Sequence, residues 1–201
     1  MSAQVKKLYT PEEYLALERI SLEKHEYFQG EMFTMMGASY KHNVICMNIA
    51  TTLHPLLGKR GCTVVTNDLR VFVPTTGLYA YPDVILICGT PQFIDDEFDT
   101  LLNPMTIIEV LSDSTELYDR TIKFENYRSI PSLQEYILVS VKKPHIERYC
   151  RNNEEGIPPE RMIWSYSAAK DLEEYITVDA ADSALFLHQV YANVNFGTSR
   201  S

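Results

Sequence analysis

Long apolar runs are missing from this 201-residue chain: none approaches the roughly 18 residues that a membrane-spanning helix needs. The first ten residues hold Lys6 and Lys7 but no apolar stretch after them, so no signal peptide is expected and the chain reads as cytoplasmic. Cysteine is sparse, and Cys46, Cys62, Cys88 and Cys150 form no C-x-x-C pair. Each sits among apolar or β-rich neighbours, as in Ile85-Leu86-Ile87-Cys88, and the expectation is four reduced, buried thiols rather than zinc ligands or disulfides. Basic residues are also scarce, 18 against 27 acidic ones, giving a net charge of −9. That balance opposes a broad phosphate-neutralising surface, but it leaves room for a local basic groove or for a metal ion that supplies positive charge. H-E-x-x-H, G-x-S-x-G and a phosphate-cradling glycine loop are absent, which removes support for zinc proteases, α/β-hydrolases and P-loop NTPases.

What is present suits one domain spanning residues 1–201, with a hydrophobic fraction of 45% and no repeats or low-complexity tract. Thr10-Pro11-Glu12-Glu13 is a capping box with proline at the first helical position, and the helix it opens should end near Arg19. Aromatic and methionine-rich stretches on either side of Gln29-Gly30 predict a β-hairpin over 26–36. Apolar residues at helical spacing from Val44 to Leu57 predict a long helix, with Ser39 as cap and Gly58 as stop. Strands are expected over 62–66, 69–73 and 81–87, the last preceded by a turn at Pro74 to Gly77. The acidic stretch from Pro91 to Asn103 reads as a solvated excursion. Beyond it lie a strand over 105–111, a helix over 119–128 and an antiparallel pair over 134–141 and 145–151. A loop at 156–159, a short strand over 162–166 and a terminal helix over 185–191 complete the order. This is a mixed α/β (α+β) pattern: a central mixed sheet flanked by helices, with an N-terminal helix and hairpin.

Two carboxylates stand where carboxylates are costly. Asp83 precedes Val84-Ile85-Leu86-Ile87, and Glu109 interrupts Ile107-Ile108-Glu109-Val110-Leu111. A charge inside such a strand must be paired, neutralised or bound to a metal. Asp83 as a strand-entry residue bonding local backbone, and Glu109 on an outward face, are the ordinary alternatives. Converging from adjacent strands, the two would suit Mg²⁺ or Mn²⁺, which binds through one or two carboxylates and activates water for phosphodiester hydrolysis. A nearby lysine would orient that water and stabilise developing charge.

The stretches Lys24-His25-Glu26-Tyr27 with Gly30, Tyr81-Pro82-Asp83-Val84, Asn103-Pro104, Ile108-Glu109-Val110-Leu111-Ser112, Tyr118-Asp119-Arg120, Lys123-Phe124 and Pro131-Ser132-Leu133-Gln134-Glu135-Tyr136 resemble the Uma-type family of restriction-endonuclease candidates. The resemblance runs from about Tyr9 to about Tyr191. It implies a PD-(D/E)XK nuclease core, DNA as substrate, and Pro82-Asp83 with Glu109 as the acidic motif, the Val110 carbonyl joining them as a metal ligand. The superfamily pattern places lysine two residues after the second acid, where this chain has Leu111. Lys123 on the following helix is the candidate replacement, against the alternative of an exposed residue paired with Asp119. Arg120 could substitute, although guanidinium accepts protons poorly. His42 is a supporting acid–base or orienting candidate, or else a structural histidine. Glu26 and Asp68 could add carboxylates, and Asp113 reads as a turn residue. A two-fold homodimer would match duplex symmetry. The rival readings are a nuclease-like fold used only for binding, favoured by the missing lysine and the negative charge, and a hydrolase of smaller phosphate esters.

Overall fold

In the computed structural model, which describes residues 7–197, the capping box forms as its sequence implies. The Thr10 hydroxyl accepts from the Glu13 amide, the Glu13 carboxylate accepts from the Thr10 amide, and helix α1 (Pro11–Glu18) follows. The signal-peptide expectation rests on residues that, up to Lys6, lie outside the described ones. Strands β1 (His25–Phe28) and β2 (Glu31–Thr34) make the hairpin, with Gln29 and Gly30 both at positive φ in its turn. Ser39 caps α2 (Tyr40–Leu57), whose stripe of Ile45, Ile49, Leu53 and Leu57 is buried. Gly58 does not stop the chain's helical winding. A 3₁₀ turn continues over Gly58–Arg60, and Gly61, at φ 67°, ends it in the left-handed conformation that glycine adopts without steric cost.

There follow β3 (Cys62–Thr66), β4 (Arg70–Val73), β5 (Leu78–Ala80), β6 (Val84–Cys88), β7 (Thr100–Leu101) and β8 (Thr106–Leu111). A short α3 (Glu116–Tyr118) passes through a π-helical turn at Asp119–Lys123 into α4 (Phe124–Tyr127). The chain ends with β9 (Glu135–Ser140), β10 (Ile146–Arg151), β11 (Trp164–Ala169), β12 (Tyr175–Val178), β13 (Ser183–Phe186) and α5 (Leu187–Val190). The strands form a six-stranded mixed sheet in the order β11-β10-β9-β8-β6-β3, a five-stranded sheet β2-β1-β5-β4-β7, and the hairpin β12-β13.

Alternation along the six-stranded sheet builds two cores. Val84, Leu86, Ile108, Val110, Ile137 and Val139 lie in one cluster with the α2 stripe and with Ile176, Val178 and Leu185 of the C-terminal hairpin. Ile85, Ile87, Ile107, Leu111, Tyr136 and Leu138 lie in the other, with Tyr127, Ile130 and Leu133 and with Val71, Val73, Leu78 and Ala80 of the smaller sheet. Period-two geometry therefore puts Glu109 on the same side as Ile107 and Leu111.

Several expectations are corrected here. Cys62 and Cys88 are opposed in the β3–β6 register and form a disulfide, whereas Cys46 and Cys150 are free. Long-range register is invisible to cysteine spacing. The single strand expected over 81–87 is two elements: β5 belongs to the smaller sheet, and the chain crosses at Tyr81-Pro82-Asp83 before β6. Proline has no amide to give a ladder, so the crossing falls where a sheet could not continue. The 91–103 excursion is solvated from Asp95 to Phe98, but its Thr100 and Leu101 are buried as β7, paired parallel with β4. The terminal helix begins only at Leu187, because 183–186 pairs with β12. No helix among the described residues is long and apolar enough to cross a membrane.

Arg70 anchors that excursion. Only 2% exposed, it reaches Asp99 Oδ2 at 2.5 Å, donates to the Thr100 hydroxyl at 3.1 Å and donates to Tyr81 Oη at 3.3 Å. Arg19 from the end of α1 donates to the same Asp99 carboxylate at 2.8 Å. Burial pushes the Asp99 carboxyl up, but bonds from Arg19, Arg70 and Thr100 outweigh it and hold the group well below the usual carboxylate range. Replacing Asp99 by Ala leaves Arg70 buried without its carboxylate, and a loss of roughly 2–4 kcal/mol is expected in urea denaturation at neutral pH. A depressed carboxyl stabilises above its unfolded pKa and loses that contribution as pH falls, so the gap between wild type and variant should narrow below about pH 4. A gap constant with pH would remove the ion pairs from the explanation.

Candidate active site and metal centre

The crossing between the sheets is hydrogen-bonded by the carboxylates singled out in the sequence. On either side of Pro82, the Tyr81 amide donates to Glu26 Oε1 at 3.1 Å and the Asp83 amide donates to Glu109 Oε2 at 3.3 Å. Asp83 Oδ2 accepts from the Val110 amide at 2.7 Å and lies 3.2 Å from His42 Nε2. Antiparallel pairing of β6 with β8 places Val84 opposite Ile108, so Asp83 and Glu109 come together one step beyond that pair.

Lys123 is buried, 5% exposed, so the exposed-helix alternative does not hold. Its Nζ lies 3.1 Å from Glu109 Oε1, 3.1 Å from Glu26 Oε1 and 3.3 Å from Asp119 Oδ1. The contact with Asp119 is an ion pair without an aligned hydrogen bond. Tyr127, one turn further on, donates to Glu109 Oε1 at 3.4 Å. Burial acts to lower the Lys123 pKa, but Glu109, Glu26, Tyr127 and Asp119 overcome it and hold the ammonium charged. For Glu109, burial pushes the carboxyl well above its usual range; Lys123 opposes this, while Asp119, Asp83 and Glu26 add to it. Asp119 is likewise raised by burial, against the pull of Lys123.

Asp83, Glu109, Asp119, Lys123 and His42 line one cleft of about 850 Å³ between the β1–β2 hairpin, the start of α2 and the end of β8. Lys24 and Asp68, themselves ion-paired, stand at its rim. Glu26 meets the site from behind through Lys123. Val110 lines the cleft and engages Asp83 through its amide. Two residues stay outside. Arg120 is held by Glu116 at 3.0 Å and Glu147 at 2.8 Å, and Asp113 pairs with Lys142 at 2.7 Å. Asp119 is the member that the sequence argument missed as a site residue; its position four residues before Lys123 was the available signal.

The donor set fits a divalent cation. One ammonium faces three buried carboxylates, and Asp83 adds a fourth that lies beside His42. Hard oxygen donors in excess of the local positive charge suit Mg²⁺ or Mn²⁺. A second set, His42, Cys46 and Asp83, also lies close together. Its sulfur approaches His42 Nδ1 at 3.6 Å and Asp83 Oδ2 lies 3.2 Å from Nε2, with one donor atom from each of the three residues within 4.8 Å of the others. Burial, together with Asp83 and Glu109, pushes the Cys46 thiol up, away from the thiolate a soft metal requires.

A mixed sheet flanked by helices, with an Asp and a Glu meeting across adjacent strands over a buried lysine, defines a restriction-endonuclease-like protein. Residues 11–178 match the Uma2 family, described as "Putative restriction endonuclease", and the chain belongs to that family. Two proteins of Synechocystis sp. (strain ATCC 27184 / PCC 6803 / Kazusa) are similar along most of their length. The "Uncharacterized protein slr1290" is 38% identical over 164 residues, 82% of this chain and 83% of its own. The "Uncharacterized protein sll1609" is 38% identical over 143 residues, 71% and 81% respectively. The crystal structure of "a putative nuclease belonging to DUF820" from Anabaena variabilis ATCC 29413 superposes with a TM-score of 0.71, covering 92% of this chain and 98% of that one at 14% identity. At that identity the likeness shows a shared fold.

Replacing Lys123 by Met removes the one ammonium among three buried carboxylates. A loss of about 3–5 kcal/mol is expected in chemical denaturation at neutral pH. A loss below about 1 kcal/mol would mean that Lys123 is not what balances them.

Proposed function

We propose that the protein is a Mg²⁺- or Mn²⁺-dependent endonuclease that hydrolyses phosphodiester bonds in DNA. The observation that carries this reading is the meeting of Asp83, Glu109 and Lys123 in one cleft, with the lysine 3.1 Å from Glu109 although it comes from a helix fourteen residues further along the chain. Membership of the Uma2 family supports a nucleic-acid substrate.

Asp83 and Glu109 would hold the ion, with the Val110 carbonyl as a further ligand; bound there, it would polarise a phosphoryl oxygen and lower the pKa of a bound water. Lys123 works as a fixed cation. Surrounded by carboxylates it keeps its proton, so it orients the attacking water and stabilises negative charge developing on the phosphate rather than acting as a base. His42, fixed between Cys46 and Asp83, orients the Asp83 carboxylate.

Asp83→Ala should stay folded and lose metal-dependent cleavage of plasmid DNA by about 100-fold or more, as expected when a metal ligand is removed. A folded variant with full activity would overturn the mechanism.

One observation favours a second reading, a nuclease-like fold that only binds. Lys123 is already engaged by three carboxylates, and Glu23 adds negative charge at the cleft. Calorimetry with Mn²⁺ separates the two: the endonuclease reading expects binding that Asp83→Ala abolishes, and a wild-type chain without measurable affinity favours the binding module. Turnover of model phosphodiesters without turnover of DNA would instead point to a hydrolase of smaller phosphate esters.

A further inference from the structure

The six-stranded sheet ends in β11, whose outer edge carries no further paired strand among the described residues, and Ser165 to Ala168 are all exposed. The other margins of the two larger sheets, at β2, β7 and β3, are protected in recognisable ways. Strand β2 carries Glu31, β7 is two residues long, and β3 begins against Ala180, with Arg60 beside it paired to Asp182 at 2.9 Å. Short length, charge and covering loops are the usual defences of a sheet edge. Strand β11 has none of them: it is six residues long, and no ionisable aspartate, glutamate, lysine, arginine or histidine occurs from Met162 to Ala169.

The direction of its free backbone groups follows from the ladder. The Arg151 amide donates to Gln134 O, toward β9, and the Asn152 amide donates to Ile163 O, toward the β11 side. Alternation then turns Cys150, Arg148 and Ile146 toward β11, opposite Ser165, Ser167 and Ala169. The amides and carbonyls of Trp164, Tyr166 and Ala168 therefore point outward.

We propose that β11 pairs antiparallel with β11 of a second copy of this chain, joining two six-stranded sheets into one. Antiparallel pairing of a strand with itself has two-fold symmetry, and centring it on Tyr166 sets Trp164 against Ala168 of the other copy, with the outward groups matched on both sides. Charge selects the place of contact. Two chains of net charge −9 repel over most approaches, and β11 is a neutral stretch where they can meet. Exposed apolar side chains adjoin it in sequence: Ile163 before the strand, Tyr166 within it, and Leu172 and Tyr175 just after. Tyr166 already lies 5.3 Å from Tyr149, and the two-fold would bring a second Tyr166 to the same face as a cross-strand aromatic pair.

Sedimentation velocity on the full chain across a concentration series tests this independently of any nuclease activity. The wild type should sediment as a dimer. Ala168→Pro removes only an outward amide and leaves the β10 ladder intact, and Ala168→Lys adds a charge to the edge; each should weaken the dimer by about 100-fold or more. Circular dichroism confirms folding, and the lysine variant decides if the proline variant does not fold. In the wild type, the Tyr166 and Ala168 amides should exchange more slowly as concentration rises. A chain that stays monomeric to roughly 100 μM, or a dimer that folded Ala168→Lys leaves unchanged, overturns the proposal.

Discussion

One ammonium shared by three buried carboxylates is the constraint on which the structure depends. Glu26 comes from β1, Glu109 from β8 and Asp119 from the turn that also carries Lys123. Each would be costly to bury alone, and together they are tolerable only if their elements keep register to within a hydrogen-bond length. Such a cluster adds little stability over a well-packed apolar core. Its effect is specificity, because a shift of β1 against β8 would strand a charge. The π-helical turn at Asp119–Lys123 belongs to the same arrangement. It widens the helix where both side chains must reach one point, and such turns recur where side chains are aimed at a site.

The fold and the site also share their hydrogen bonds. Where the chain leaves the smaller sheet for the larger, ladder pairing lapses, and Pro82 has no amide to satisfy. The neighbouring amides of Tyr81 and Asp83 are accepted by Glu26 and Glu109, while the Asp83 carboxylate accepts the Val110 amide. Buried backbone groups must find partners, and here the acidic side chains provide them. The carboxylates of the candidate site thus hold the joint between the sheets, so a substitution at Glu109 changes the crossing as well as the cleft. On the far side of that joint, Arg70 binds Tyr81 and Asp99, fixing Tyr81 from the interior of the smaller sheet.

What the sequence could convey follows from the range of each interaction. The capping box at Thr10, the hairpin at Gln29-Gly30 and the stripe from Ile45 to Leu57 are local patterns, and each forms where it is legible. Asp83 and Glu109 were legible for a different reason: a charge inside an apolar strand, or just before one, has few inexpensive explanations. Pairings set by distant register were not legible. The opposition of Cys62 and Cys88, the split of 78–88 between two sheets and the burial of Thr100 and Leu101 all depend on which strand lies alongside. The β12–β13 hairpin escaped notice because its short strands, from Tyr175 to Phe186, follow a polar turn and precede a helix of only four residues.

Packing gives a reason why the lysine near Glu109 does not come from the strand itself. A lysine two residues after Glu109 would occupy position 111, on the same side of β8. That slot holds Leu111, only 3% exposed and packed in the cluster that contains Tyr127 and Tyr136. The segment 119–127 lies on that side of the sheet, with the Tyr136 hydroxyl donating to Asp119 O at 2.9 Å and Tyr127 donating to Glu109. Lys123, one turn before Tyr127, consequently arrives over the carboxylate from the helix instead of along the strand. An apolar residue at 111 is then an advantage, since it lets the helix pack closely enough for the ammonium to reach Glu109. The cation therefore stands beside Glu109 without occupying the strand position, and the packing of Leu111 under the helix is compatible with that placement.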